Sequence, residues 1–191
     1  RDAVPARQTL AAVGDGDVAE RYGMLTLHRP SNVDDPSVLR RLLEAMVEIS
    51  RDTPLVFPIH PRTQARVETA GLEGLLASGR IITLPPLGYL EMLGLLRDAS
   101  MVLTDSGGIQ EETTALGVPC VTLRDNTERP VTVTDGTNTI VGSDPGAIHE
   151  AVAAIRRGDG KAGRRPALWD GRAAERIAAE IASRFSVRRA A

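Results

Sequence analysis

In Asp105-Ser106-Gly107-Gly108-Ile109-Gln110-Glu111-Glu112, small residues follow the apolar run Met101-Val102-Leu103-Thr104 and open a segment of helical character. Small side chains let backbone N–H groups approach an anion there, and a helix N-terminus adds roughly half a positive charge. The pattern is the outline of a diphosphate cradle. Glu112 lies one turn into the helix on the side of Gly108, within reach of the hydroxyls of a ribose whose phosphates sit at the tip. The same residues also describe a tight strand-to-helix turn capped by Ser106. Neither Gly-x-Gly-x-x-Gly nor a Walker lysine is present, which disfavours dinucleotide and P-loop chemistry.

His28-Arg29-Pro30-Ser31-Asn32 sets a titratable ring beside a guanidinium after another apolar run. Arg29 can fork onto phosphate, and His28 can donate to a phosphate oxygen or move a proton near neutral pH. A histidine satisfying loop carbonyls is the alternative. His60-Pro61-Arg62 repeats the theme, with Pro58 and Pro61 favouring a structural role over a phosphate or interdomain contact. In Arg124-Asp125-Asn126-Thr127-Glu128-Arg129-Pro130, Arg129 can answer phosphate charge with Glu128 orienting it, or the two form a solvated ion pair of little worth. Glu111 and Glu112 diverge by about 100 degrees around a helix and do not share an acid/base site. Three histidines at unrelated spacings, with no His-x-x-x-His and no Asp-rich cluster, carry no metal signal, and His149 reads as a surface residue. Cys120 reads as a buried small hydrophobe.

The elements that must position these residues alternate. Short apolar runs at 23–28, 54–60, 81–84, 101–104, 120–123 and 139–141 read as strands. Helical spacing or start signals occupy 35–49, 63–76, 89–98, 108–116, 145–156 and 171–185. Continuous apolar strands alternating with amphipathic helices require a parallel sheet covered on both faces, so the fold class is a doubly wound, Rossmann-like α/β domain. Ligands in that architecture sit at the carboxyl ends of the strands, which is where His28, His60, Asp105 to Gly108 and Arg124 onward fall. Residues 1–21, Ala/Gly/Asp-rich and without period, read as a linker with at most a short helix, and 22–191 as the domain.

Composition bounds the function. With 191 residues and 42% hydrophobic content the chain can build a sizeable core, which excludes disorder. Twenty-three Lys plus Arg against 25 Asp plus Glu give a net charge of -2, so no global field gathers nucleic acid or anionic membrane. Aromatics at 3% argue against stacking platforms. One cysteine excludes an internal disulfide and favours a reducing, cytoplasmic compartment. No apolar run approaches the roughly 20 residues of a membrane span. The start Arg1-Asp2-Ala3-Val4-Pro5, with neither Met nor a signal-peptide core, reads as that of a fragment.

Taken together, Thr26-Leu27-His28-Arg29-Pro30-Ser31-Asn32, Phe57-Pro58-Ile59-His60-Pro61, Leu103 to Glu112 and Arg124 to Pro130 resemble, in order, the C-terminal half of the non-hydrolysing UDP-N-acetylglucosamine 2-epimerases, enzymes of GT-B type fold. The resemblance runs from about Tyr22 to the C-terminal helix, and Ser31 stands where many members carry Glu. It implies that Ser106, Gly107 and Gly108 hold the diphosphate, Glu112 the ribose, Arg129 and His28 the phosphate region, and the Leu87-to-Met92 segment the uracil, beside the phosphate role that the chemistry of Arg29 allows. It further implies interconversion of UDP-GlcNAc and UDP-ManNAc by elimination and re-addition of UDP, with His28 the one catalytic candidate in this half and neither NAD nor a metal as cofactor. The resemblance also implies that the acid/base carboxylates belong to an N-terminal domain outside these 191 residues, and that the full-length form is a homodimer serving cell-surface polysaccharide synthesis. A hydrolysing epimerase, a GT-B glycosyltransferase half and a non-catalytic nucleotide-sugar module are the alternative functions.

Overall fold

The computed structural model describes residues 2–12, 14, 18 and 21–186. Parts of the expected linker, residues 1, 13, 15–17 and 19–20, lie outside that set, as do 187–191. The chain order is α1 (Ala6–Ala11), β1 (Gly23–Thr26), α2 (Pro30–Val33), α3 (Pro36–Ser50), β2 (Leu55–Pro58), α4 (Pro61–Thr69), α5 (Glu73–Ala77), β3 (Ile81–Leu84), α6 (Tyr89–Asp98), β4 (Met101–Thr104), α7 (Gly107–Leu116), β5 (Cys120–Thr122), α8 (Pro130–Thr134), β6 (Asn138–Ile140), α9 (Pro145–Arg157) and α10 (Ala173–Ser186).

All five strand pairings are parallel, in the order β3-β2-β1-β4-β5-β6. Successive side chains of a strand point to opposite faces. Leu25, Leu55, Phe57, Leu103 and Val121 accordingly enter one core with α3 and α9 residues such as Leu42, Met46, Ile148 and Val152. Met24, Val56 and Val102 enter the other with Leu10, Leu95, Leu96 and Ile109. Both faces are covered, as the continuous apolar strands required. The order reverses between β1 and β4, and the crevice outside the carboxyl ends of those two strands is the switch point.

Three local differences from the expected elements have physical causes. The helix expected over 63–76 is two helices, α4 and α5, because Gly71 takes a left-handed φ of 63° that ends the first. The short helices α2 and α8 leave no helical spacing in the sequence, since four or five residues carry too little pattern; both start at a proline, Pro30 and Pro130. Residues 4–11 pack onto α6: Val4 N–H donates to the Leu90 carbonyl (3.0 Å), Ala6 N–H to Asp98 Oδ2 (3.1 Å), and Ala6 and Leu10 are buried. A Cβ on Gly94 would overlap the Val4 carbonyl, so this contact needs glycine. At the other end, Ile177, Ile181 and Phe185 of α10 remain exposed.

Candidate functional site

Asp105, the residue after β4, is fully buried at the switch point and faces the loop that follows β1. Its carboxylate accepts the backbone N–H of His28 (3.0 and 3.1 Å) and of Arg29 (2.9 Å), and the side-chain amide of Asn32 (3.2 Å). His28 Nδ1 lies 3.0 Å from Oδ1. Burial by itself would raise the carboxyl pKa; the hydrogen bonds from His28 and Arg29 outweigh it and hold the group below the usual carboxylate range. Asn32 also donates to the Leu123 carbonyl (2.9 Å), joining the ends of β1, β4 and β5 in one network. Nearby, the Thr26 and Thr104 hydroxyls share a 2.6 Å hydrogen bond, and Thr104 Oγ1 accepts the Ser106 N–H.

Ser106 occupies the N-cap of α7 but makes no side-chain cap bond, so the turn is not the self-capped one its sequence equally allowed. Gly107 and Gly108 follow with ordinary negative φ. A Cβ on Gly108 would meet nothing within 4 Å, and one on Gly107 would sit at van der Waals distance from Glu128 Oε2 (3.7 Å) and Arg29 Nη2 (4.0 Å). Alanine would therefore suit the folded chain at both positions at least as well. Glycine at both positions leaves the uncapped N–H groups of the helix tip open to close approach. Arg29 stands beside this tip, and its buried Nε has no hydrogen-bond partner.

His28, Met92 and Ser106 line a common cavity of about 220 Å³ with Thr26, Pro86, Leu87 and Ile109. The structure thus brings together Met92, expected to line a base pocket, with His28 and the first residue of the cradle. His60 lines it too, its ring centroid 5.7 Å from that of His28, while its Nδ1 caps α4 by accepting the Arg62 N–H (3.1 Å). Arg62 itself is bound to Asp34, which Arg66 also contacts (3.1 Å). His149 pairs with Glu48 (3.0 Å) between α9 and α3.

Arg129 is placed differently from expectation. Glu128 does not orient it through its carboxylate, which takes a two-pronged hydrogen bond from Arg124 (2.8 and 2.7 Å) that draws its pKa down to about 2. The Arg129 guanidinium instead pairs with Glu111 (3.0 Å) and donates to the Glu128 carbonyl (3.2 Å). The loop carrying both is tied to α7 by Gln110, whose buried Oε1 accepts from Thr127 (2.5 Å) and Asn138 (3.2 Å). Glu112 is half-buried, and among the described residues no group hydrogen-bonds its carboxylate. Burial, with the neighbouring Glu111 charge second, pushes its pKa up.

Sequence reasoning did not assign roles to Asp105, Asn32 and Gln110. Only Asp105 carried a signal, its place at a strand end; the partners of all three lie too far away in the chain for spacing to reveal. No helix of the described residues is long and apolar enough to cross a membrane, and no cluster of three or more metal-ligating residues occurs among them.

The fold and the site define a doubly wound α/β domain with a polar crevice at its switch point. A family model described as UDP-N-acetylglucosamine 2-epimerase matches residues 3–182. The chain is 42% identical over 157 residues to the UDP-N-acetylglucosamine 2-epimerase of Methanococcus maripaludis, covering 76% of this chain and 43% of that protein. It is 44% identical over 129 residues to the UDP-2,3-diacetamido-2,3-dideoxy-D-glucuronate 2-epimerase of Pseudomonas aeruginosa, covering 67% and 35%. It superimposes with a TM-score of 0.81 and 38% identity on the crystal structure of the Methanocaldococcus jannaschii UDP-GlcNAc 2-epimerase in complex with UDP-GlcNAc and UDP, covering 93% of this chain and 48% of the other. This chain belongs to the UDP-N-acetylglucosamine 2-epimerase family. It spans less than half the length of these relatives.

Proposed function

We propose that these 191 residues are the UDP-binding half of a non-hydrolysing UDP-N-acetylglucosamine 2-epimerase. The observation that carries this reading is the α7 tip: an N-cap serine without a cap bond, two glycines the fold does not need, and the unpartnered Arg29 Nε alongside. Ser106, Gly107, Gly108 and Arg29 hold the diphosphate, with Arg129 contributing charge nearby. Glu112, without a hydrogen-bond partner among the described residues, takes the ribose hydroxyls, and Met92 packs on the base.

In the whole enzyme, loss of the C2 proton and breakage of the C1–O bond release UDP and leave a 2-acetamidoglucal. UDP then adds back to C1 as a proton returns to C2 from the opposite face. The charge that develops on the departing diphosphate is what this half stabilises, through N–H groups, Arg29 and His28. Neither NAD nor a metal enters this route. Removal of the C2 proton falls to the remainder of the enzyme, so the 191 residues alone bind UDP and do not turn over. The reading includes a cytoplasmic homodimer, in which the exposed apolar side chains of α10 are surface of the kind that interdomain contact covers.

The Pseudomonas relative supports a second reading of the sugar, because it shares this half and is named for a different UDP-linked 2-acetamido sugar. The nucleotide end is common to both. Titration with UDP, UDP-GlcNAc and ADP tests the nucleotide assignment: UDP and UDP-GlcNAc bind, and ADP binds more weakly. Glu112→Ala weakens UDP by about 1–3 kcal/mol through lost hydroxyl hydrogen bonds, and an unaltered affinity would refute the ribose role. Sustained UDP-ManNAc production by the isolated 191 residues would overturn the half-enzyme reading, and free ManNAc from the full-length protein would reassign it as hydrolysing.

A further inference from the structure

Asp105 receives N–H donors from three residues and no solvent. An ionised carboxylate only accepts hydrogen bonds, so the 3.0 Å contact with His28 requires the imidazole hydrogen on Nδ1. Neutral His28 then carries a lone pair on Nε2, which has no hydrogen-bond partner among the described residues on a ring that lines the cavity with Ser106. A lone pair facing a phosphate oxygen is repulsive. We propose that Asp105 is a positioning residue that holds His28 in the Nδ1–H form, so that Nε2 meets a diphosphate only as imidazolium and nucleotide binding takes up a proton from solvent.

The surrounding charges fit this device. Asp105, from the β4–α7 junction, favours the imidazolium. Arg29, next in the chain, and His60, from the β2–α4 junction with its ring 5.7 Å away, oppose a further positive charge. Arg124 of the β5–α8 loop acts on Asp105, and Glu128 of the same loop partly offsets Arg29. An arriving diphosphate adds the negative charge that tips the balance towards the protonated ring. The proton stays between Nε2 and a phosphate oxygen, and no covalent step is involved.

The tautomer half of the proposal stands on the free chain, and the proton-uptake half rests on the UDP reading above. Long-range 1H–15N correlation on the histidine-labelled free chain reads the tautomer directly. The expected result is hydrogen on Nδ1 in the wild type and a shift to Nε2 in Asp105→Asn, whose amide can donate to Nδ1. Hydrogen on Nε2 in the wild type, or an unchanged tautomer in the variant, would overturn the proposal. Calorimetry of UDP binding above neutral pH in buffers of different ionisation enthalpy should show net proton uptake by the wild type. Asp105→Asn should abolish that uptake, because Nε2–H then donates to the diphosphate without a second proton. Binding without uptake in the wild type would also overturn the proposal, whereas a folded wild type that does not bind UDP refutes the nucleotide reading, with the tautomer result telling the two failures apart. Should Asp105→Asn fail to fold, the wild-type tautomer and proton count decide alone.

Discussion

Helices α9 and α7 both follow a strand of the same sheet, yet their N-termini are finished in opposite ways. At α9 the Asp144 carboxylate accepts the Ala147 N–H (2.8 Å), and Pro145 removes one N–H from the first turn. At α7 the N-cap serine makes no cap bond, glycines occupy the first two positions, and no proline is present. An acidic residue lies beside this tip too, but Asp105 turns away from α7 to bind His28, Arg29 and Asn32. One helix satisfies its own end and serves stability. The other keeps its positive end open, and the carboxylate that could have closed it instead assembles the opposite wall of the crevice.

The largest effect should come from closing α7 in the manner of α9. Gly107→Asp places a carboxylate at the open end between Arg29 and Glu128, an internal anion in the position assigned to the diphosphate. UDP affinity should fall by about 100-fold or more, with Tm unchanged or raised. Retained affinity would show that the α7 tip is not the anion site.

The reciprocal test removes the cap that exists. Asp144→Ala should lower Tm by about 2–4 °C and leave UDP titration unaltered, while Ser106→Ala should leave Tm in place and weaken UDP a few-fold. Equal loss of Tm in both variants would erase the contrast between the two helix ends.

The smallest effect concerns the partly buried carboxylate on α7. The folded-state pKa of Glu112 is raised, so its ionised form is disfavoured in the folded chain relative to the unfolded one. The folded state is thus penalised at neutral pH and recovers as pH falls through that raised value. Glu112→Gln should raise Tm by about 1–2 °C at pH 7, with the gain fading on acidification below the ordinary carboxylate range, and should weaken UDP. Asp105 has the opposite sign: its lowered pKa supplies stability above the usual carboxylate range, lost as pH falls through the folded value.

Much of the fold was legible because strands and helices announce themselves locally. Apolar runs such as Met101 to Thr104 followed by Asp-Ser-Gly-Gly need only a few neighbours to be read. The motifs around His28, His60, Asp105 and Arg124 were legible for the same reason, and so was their place at strand ends. Only the acidic partner of Arg129 was hidden, because the nearest acid in the chain, Glu128, binds Arg124 while α7 presents Glu111 to it. The split at Gly71 was hidden because left-handed geometry depends on how the next element packs.

The sequence by itself determined the alternation of elements, the strand-end positions of the chemical groups and the match to one enzyme family, since all of these are written in short spans. Only the tertiary structure decided that β1 and β4 are neighbours, and with that the reach of Asp105 to residues 73 to 77 positions earlier in the chain. Strand pairing across a crossover is a non-local contact chosen by the burial of both sheet faces together. The same burial leaves the switch point as the crevice where the ends of β1 and β4 face each other, with their charges directed inward.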